Sequence, residues 1–152
     1  MHSPVDRRAY GARTLLLAAI FSFASQASAA GRLVVEHAWI RTAPPGAMML
    51  AGYATLRNTG DAPLTLRTAD SIDFASVSLH ETVAENGVEH MRPLGKVEIA
   101  PGASVEFAPG GKHFMLMRAQ RELAAGVKVK IHISTTSADG AEAEFVVRDD
   151  AP

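Results

Sequence analysis

Hydrophobic and polar residues alternate with a period of two through most of the chain beyond residue 32. The clearest segment is Val127-Lys128-Val129-Lys130-Ile131-His132-Ile133, with four aliphatic residues on one side and Lys128, Lys130 and His132 on the other. This is the pattern of a half-buried strand. Phe74 to His80 alternates as strictly: Val77 and Leu79 face one way, Ser76, Ser78 and His80 the other. Leu33–Trp39, Gly52–Asn58, Leu64–Arg67, Val105–Phe107 and Ala143–Val147 read as further strands. In a regular first strand His37 points with Val35 and Trp39, so Trp39 is expected in the core and His37 in a structural role. Gly111–Met117, taken as a strand, places His113, Met115 and Met117 on one face and Phe114 and Leu116 on the other.

Turn residues separate these segments. Pro44-Pro45-Gly46, Asn58-Thr59-Gly60-Asp61, Pro93–Gly95, Pro101-Gly102 and Pro109-Gly110-Gly111 all break the alternation. Asn86-Gly87 is a strong hairpin signal, and it folds the strand bearing His80 back against one bearing Met91. No useful length shows a helical period. Short strands with Gly/Pro turns predict a single all-β domain, a sandwich or barrel.

The first 29 residues do not fit that pattern. Arg7, Arg8 and Arg13 precede a short apolar run beginning Leu15-Leu16-Leu17, and Ala27-Ser28-Ala29 follows with small side chains. This is the anatomy of a secretory leader cleaved near Ala29; its apolar run of about ten residues falls short of the ~20 needed to span a membrane. The expected organisation is a leader over residues 1–29 and one β-domain over 30–152. The leader contains three basic and one acidic residue, so the remainder has 12 basic against 15 acidic, a formal charge of −3. That balance argues against a nucleic-acid partner, which requires a basic face. No second apolar run is long enough for membrane insertion. Cysteine is absent, which removes disulfides, thiolate catalysis, Cys-rich zinc sites and the Cys ligand of blue copper.

The chemistry collects between Leu79 and Met117, which hold three of the six His and three of the six Met. His80 and Met91 are joined by the Asn86-Gly87 hairpin, and His113 and Met115 share a strand face. Two such pairs make a four-coordinate site. Imidazole and thioether suit soft, monovalent copper, whereas Ca²⁺ and Mg²⁺ demand oxygen. The proposed ligands are therefore His80, Met91, His113 and Met115, with affinity expected to fall below about pH 6.5 as imidazole protonates.

The spacing of these residues is His, ten residues, Met, twenty-one residues, His, one residue, Met. It resembles the signature of the PCu(A)C-type periplasmic copper chaperones. Leu79-His80-Glu81-Thr82, Met91-Arg92-Pro93, Gly110-Gly111, Trp39-Ile40-Arg41 and Arg57-Asn58-Thr59-Gly60 are also family-like, and the resemblance covers nearly all of residues 33–147. It implies a cupredoxin-like Greek-key barrel or sandwich, a Cu(I) site near the surface, and delivery of copper toward cytochrome c oxidase assembly. The expected partner is a copper recipient, an oxidase subunit or its assembly factor. The chain itself is expected to be a periplasmic monomer and not an enzyme. Some members carry a His- and Met-rich C-terminal extension associated with Cu(II); this chain ends at Arg148-Asp149-Asp150-Ala151-Pro152.

Other candidates read more plainly. Met117 packs beneath the site, and His90 points away from Met91's side of the strand. His132 is solvated surface. Met48-Met49 reads as packing before a role in guiding copper, and Glu81 and Glu89 as solvated residues before a role in orienting histidine. The competing function is an immunoglobulin-like adhesion or assembly module with no metal, since such folds host many activities.

Overall fold

The computed structural model describes residues 30–136 and 140–151; the expected leader lies outside them. Ten strands make up the secondary structure of the described residues: β1 (Leu33–Arg41), β2 (Met49–Asn58), β3 (Leu64–Asp70), β4 (Phe74–Glu85), β5 (Val88–Pro93), β6 (Glu98–Ile99), β7 (Ser104–Phe107), β8 (Lys112–Ala119), β9 (Lys128–Thr135) and β10 (Ala141–Arg148). The neighbour order β4-β8-β2-β1-β10-β9-β3 returns to β4 through the pairing of Ala69 with Val77. Seven strands thus close a barrel. The pairing of β1 with β10 is parallel; the other ladders are antiparallel. β5 extends the sheet beyond β4, β7 pairs with β2, and β6 pairs with β3. The all-β, cupredoxin-like barrel expected from the sequence is the architecture found.

The core follows the alternation. Leu56, Phe114, Leu116, Ile131, Phe145 and Val147 are completely buried within one cluster. Phe114 stacks on Phe107 at 4.9 Å between centroids and meets Phe145 edge-on at 5.3 Å, both favourable aromatic geometries. Gly52 is the cross-strand partner of Phe114. A Cβ there would stand 3.3 Å from that of Phe114 and 3.4 Å from a Leu116 methyl, so glycine leaves room for these two core side chains.

The first strand departs from its expected regularity. The register of β1 against β2 shifts between Glu36 and Trp39, and His37 has a positive φ of 52°. This is a β-bulge, whose extra residue reverses which side chains face inward. Ala38 and Ile40 therefore join the core, His37 is exposed, and Trp39 turns to the outer face. Trp39 is still buried, but against Tyr53, its cross-strand partner, at 4.8 Å between centroids. Trp39 is thus buried as expected, but the inserted residue takes it off the face that a regular strand would share with His37 and Val35.

The Asn58 turn is a polar knot. Asn58 is fully buried; its Oδ1 accepts from the backbone N–H groups of Arg32 (3.1 Å) and Gly60 (3.0 Å). Its Nδ2 donates to the carbonyls of Ala62 (2.8 Å) and Ile99 (3.0 Å). Such complete pairing is what makes a buried amide tolerable.

Candidate metal site

The site lies on the outer face of β4, β5 and β8. Asn86 and Gly87 have φ of 54° and 77° and join Glu85 to Val88, the two-residue, positive-φ turn that an Asn-Gly pair favours. The resulting hairpin places Met91 opposite Thr82 and Pro93 opposite His80. On its other side β4 pairs with β8, bringing His80 opposite His113, Ser78 opposite Met115 and Ser76 opposite Met117. Phe114 and Leu116 occupy the inward positions between them and are fully buried.

His80 is the hub of this arrangement. His113 faces it directly, with ring centroids 6.2 Å apart and planes inclined by 27°. Met91 and Met115 are its diagonal neighbours, one on each flanking strand and displaced in opposite directions along β4. Diagonal positions lie about 7–8 Å apart, within reach of long side chains. The four sequence-predicted residues thus share one patch, but unequally. His80, His113 and Met115 adjoin one another, whereas Met91 stands on the edge strand with its side chain 53% exposed.

The two imidazoles differ in their surroundings. His113 is buried, and its Nδ1 donates to the carbonyl of Gly111 at 3.0 Å. That bond leaves the Nε2 lone pair available, as the backbone partner of a metal-ligating histidine does. Nε2 of His113 is buried and has no hydrogen-bond partner. An unmet polar atom in such a place costs about 1–3 kcal/mol. His80 is half-buried, with Nδ1 at 3.4 Å from the hydroxyl of Ser78. Burial, and then the proximity of His113, push its pKa below the usual 6.5. Both effects favour the neutral imidazole a metal needs.

The remaining candidates fall into place. Glu81 faces away from His80 and pairs across the hairpin with Arg92 at 2.9 Å, so it does not orient the imidazole. His90 is opposite Val83, on the reverse side from Met91. His132 sits 3.3 Å from Asp70 on the exposed side of β9. Sequence reasoning missed two contributors, the Gly111 carbonyl and the Ser78 hydroxyl. Each sits two residues before the histidine it touches, a spacing readable only once strands and tautomers are known. Among the described residues no three His, Cys, Asp or Glu side chains cluster as a metal site, so any site here depends on thioether sulfur.

A match to the family described as "Putative lipoprotein LpqE-like" runs over residues 33–147, from the start of β1 almost to the end of β10. The chain belongs to the LpqE-like family. A relative from Leifsonia xyli subsp. xyli (strain CTCB07), named "Putative lipoprotein Lxx21020", is 33% identical over 116 residues, 76% of this chain and 69% of that one. Among solved structures, the LpqE-like chain is similar to the apo PCuAC domain of PmoF2, with a TM-score of 0.63 and 27% identity over 81% of this chain and 95% of that one. The apo PCuAC domain of PmoF1 gives a TM-score of 0.60 and 27% identity, with coverage of 81% and 97%. The Cu(I) form of DR1885 from Deinococcus radiodurans gives 0.60 and 26%, with coverage of 83% and 84%. The resemblance to PCuAC-type domains therefore holds in fold and in sequence. The family description and the name of the Leifsonia relative both carry the words "putative lipoprotein".

Proposed function

We propose that this LpqE-like protein is an exported copper carrier that binds Cu(I) through His80, Met91, His113 and Met115. The observation that carries the reading is the buried, unpartnered Nε2 of His113, directly across the sheet from His80. A soft cation satisfies that atom without adding a charged ligand, and the two thioethers complete a shell suited to Cu(I). The likeness to PCuAC domains and to the Cu(I) form of DR1885 supports the same ion.

The chain's own residues divide the work. Gly111 and Ser78 orient the imidazoles. Met115 lies beside them on β8, and Met91 closes over the ion from the exposed hairpin. All four ligands are neutral, so the ion is held without strong electrostatic trapping and passes on by ligand exchange. The recipient is a copper-accepting protein in the assembly of the cytochrome c oxidase copper centres, a subunit or an assembly factor. Residues 1–29 serve as the export leader, cleaved near Ala29, and the carrier acts as a periplasmic monomer.

Anaerobic Cu(I) titration with X-ray absorption tests the reading. The expected result is one tightly bound equivalent in a mixed nitrogen and sulfur shell. A double Met91→Ala/Met115→Ala variant that bound Cu(I) as tightly as the parent would overturn it.

A further inference from the structure

The outer face of the sheet continues past the site as a row of thioethers. Met115 is followed two residues later by Met117, which is the direct cross-strand partner of Met49 on β2. Three methionines therefore stand together, in the order Met115, Met117, Met49, leading away from His113. Direct antiparallel partners have Cβ atoms about 4.5–5.5 Å apart, and residues i and i+2 about 6.6 Å. The spacing suits three flexible thioethers meeting on one ion.

Packing does not account for this row. The inward positions of the same strands, Leu50 and Leu116, already fill the core. Met115 and Met117 are only partly buried, and Met49 is 42% exposed. The residues beside the thioethers on the same face are small: Ala51 and Ser78 flank Met115, and Ser76 flanks Met117. No carboxylate or ammonium stands at any of these register positions. The guanidinium of Arg41, which projects on this side of β1, lies over the Trp39 ring at 5.8 Å. The end of the row is held in place by the Arg118 N–H, which donates to the Met48 carbonyl at 2.8 Å.

We infer that Met49, Met115 and Met117 form a second, sulfur-only Cu(I) site, through which the ion enters or leaves the His/Met site. This rests on the carrier reading above and deepens it. Met115 belongs to both sites and makes the exchange stepwise. The thioethers of Met117 and Met49 form Cu–S bonds as the Cu–N bonds to His80 and His113 and the Cu–S bond to Met91 break, so the ion passes from four ligands to three. The ion stays Cu(I) throughout, and no proton or electron changes hands.

The test uses the full chain and Cu(I) alone, with leucine replacing methionine to keep volume and apolarity. A His80→Ala/His113→Ala variant is expected to retain Cu(I) more weakly than the parent, with X-ray absorption showing sulfur and no nitrogen. Adding Met49→Leu and Met117→Leu should abolish that binding. In the otherwise unaltered chain, Met49→Leu/Met117→Leu should leave the equilibrium affinity of the His/Met site in place and slow transfer to a soluble Cu(I) chelator several-fold. Thermal melting of the apo forms confirms that each variant folds. The inference is overturned, with the carrier reading intact, if the leucine pair changes neither sulfur-only binding nor transfer rate. If the unaltered chain takes up no Cu(I), both fail together.

Discussion

His80 and His113 are cross-strand partners whose ring centroids lie 6.2 Å apart. With a metal–nitrogen bond of about 2 Å, each centroid sits about 3 Å from a shared ion. That spacing is close to what two imidazoles ligating one ion require, and in the proposed site the barrel supplies the rigid half. Met91, on an edge strand whose six residues are all exposed, is the part left to adjust. Preorganised histidines and an adaptable thioether fit a carrier that must hold its ion and also part with it.

Cu(I) should accordingly stabilise the folded chain, because a ligand bound only by the native state shifts unfolding by mass action, about 4 kcal/mol at a thousandfold excess over Kd. Scanning calorimetry under anaerobic conditions measures it. His113→Ala and His80→Ala should each remove most of the copper-dependent rise in Tm, and Met91→Leu a smaller part. A His113→Ala protein whose melting still rose with Cu(I) as far as the parent's would show that the facing pair is not the site.

The lowered pKa of His80 sets the pH response. The folded state disfavours the imidazolium, through burial first and the neighbouring His113 second. On acidification the unfolded chain takes up this proton first, starting near its ordinary 6.5. Stability is therefore complete above that pH and declines as pH falls from it to the folded value, below which this group adds no further loss. For copper the same shift keeps His80 neutral to a lower pH than a free imidazole. NMR titration of the His80 ring in the apo protein should give a midpoint below 6.5. In His113→Asn the midpoint should rise only part-way, because burial is the larger cause. A midpoint at or above 6.5 in the parent contradicts the arrangement.

Asn58 should matter for folding and not for copper. Truncation in Asn58→Ala strands the N–H groups of Arg32 and Gly60 and the carbonyls of Ala62 and Ile99. Only the Ile99 bond is fully buried and the other three are part-buried; at about 1–3 kcal/mol for a buried group left unmet, a loss of roughly 2–3 kcal/mol is expected in urea unfolding. Cu(I) affinity of the folded fraction should be unchanged, since the knot lies at the opposite end of β2 from Met49.

Much of this was legible from alternation alone. Val77 and Leu79 inward with His80 outward, the Asn86-Gly87 hairpin, and His113 with Met115 on one face each follow from a period of two. Neighbour relations across strands distant in sequence were not. Nothing local indicates that β8 lies between β4 and β2, so the pairing of Met117 with Met49 could not be read, and Met48-Met49 looked like packing after a Pro-rich loop. The bulge at His37 was also hidden. A single inserted residue with positive φ carries no hydrophobic signature, yet it sets Trp39, still buried, on the face opposite Val35. The two-residue β6 is too short to have a period, and its position depends on β3.

The hairpin tip offers a way to separate positioning from stability. Gly87 adopts a φ of +77° with nothing within 4 Å of a Cβ built on it, so Gly87→Val adds backbone strain of about 1–2 kcal/mol without a clash. The strain falls on β5, which is exposed along its length, and should loosen the hairpin while the barrel stays intact. In the proposed site Met91 reaches the ion only when the hairpin is formed, so strain that opens the hairpin should weaken Cu(I) affinity, by up to about tenfold. Gly102 supplies the control. It too has a positive φ, +74°, with nothing within 4 Å, but lies in the turn before β7, on strands that carry no proposed ligand. Gly102→Val should lower Tm by a comparable strain and leave Cu(I) affinity unchanged. Competition titration of both variants, with hydrogen exchange reporting the opening of β5, decides: equal affinities for the two with β5 opened in Gly87→Val would mean that Met91 takes no part in holding copper.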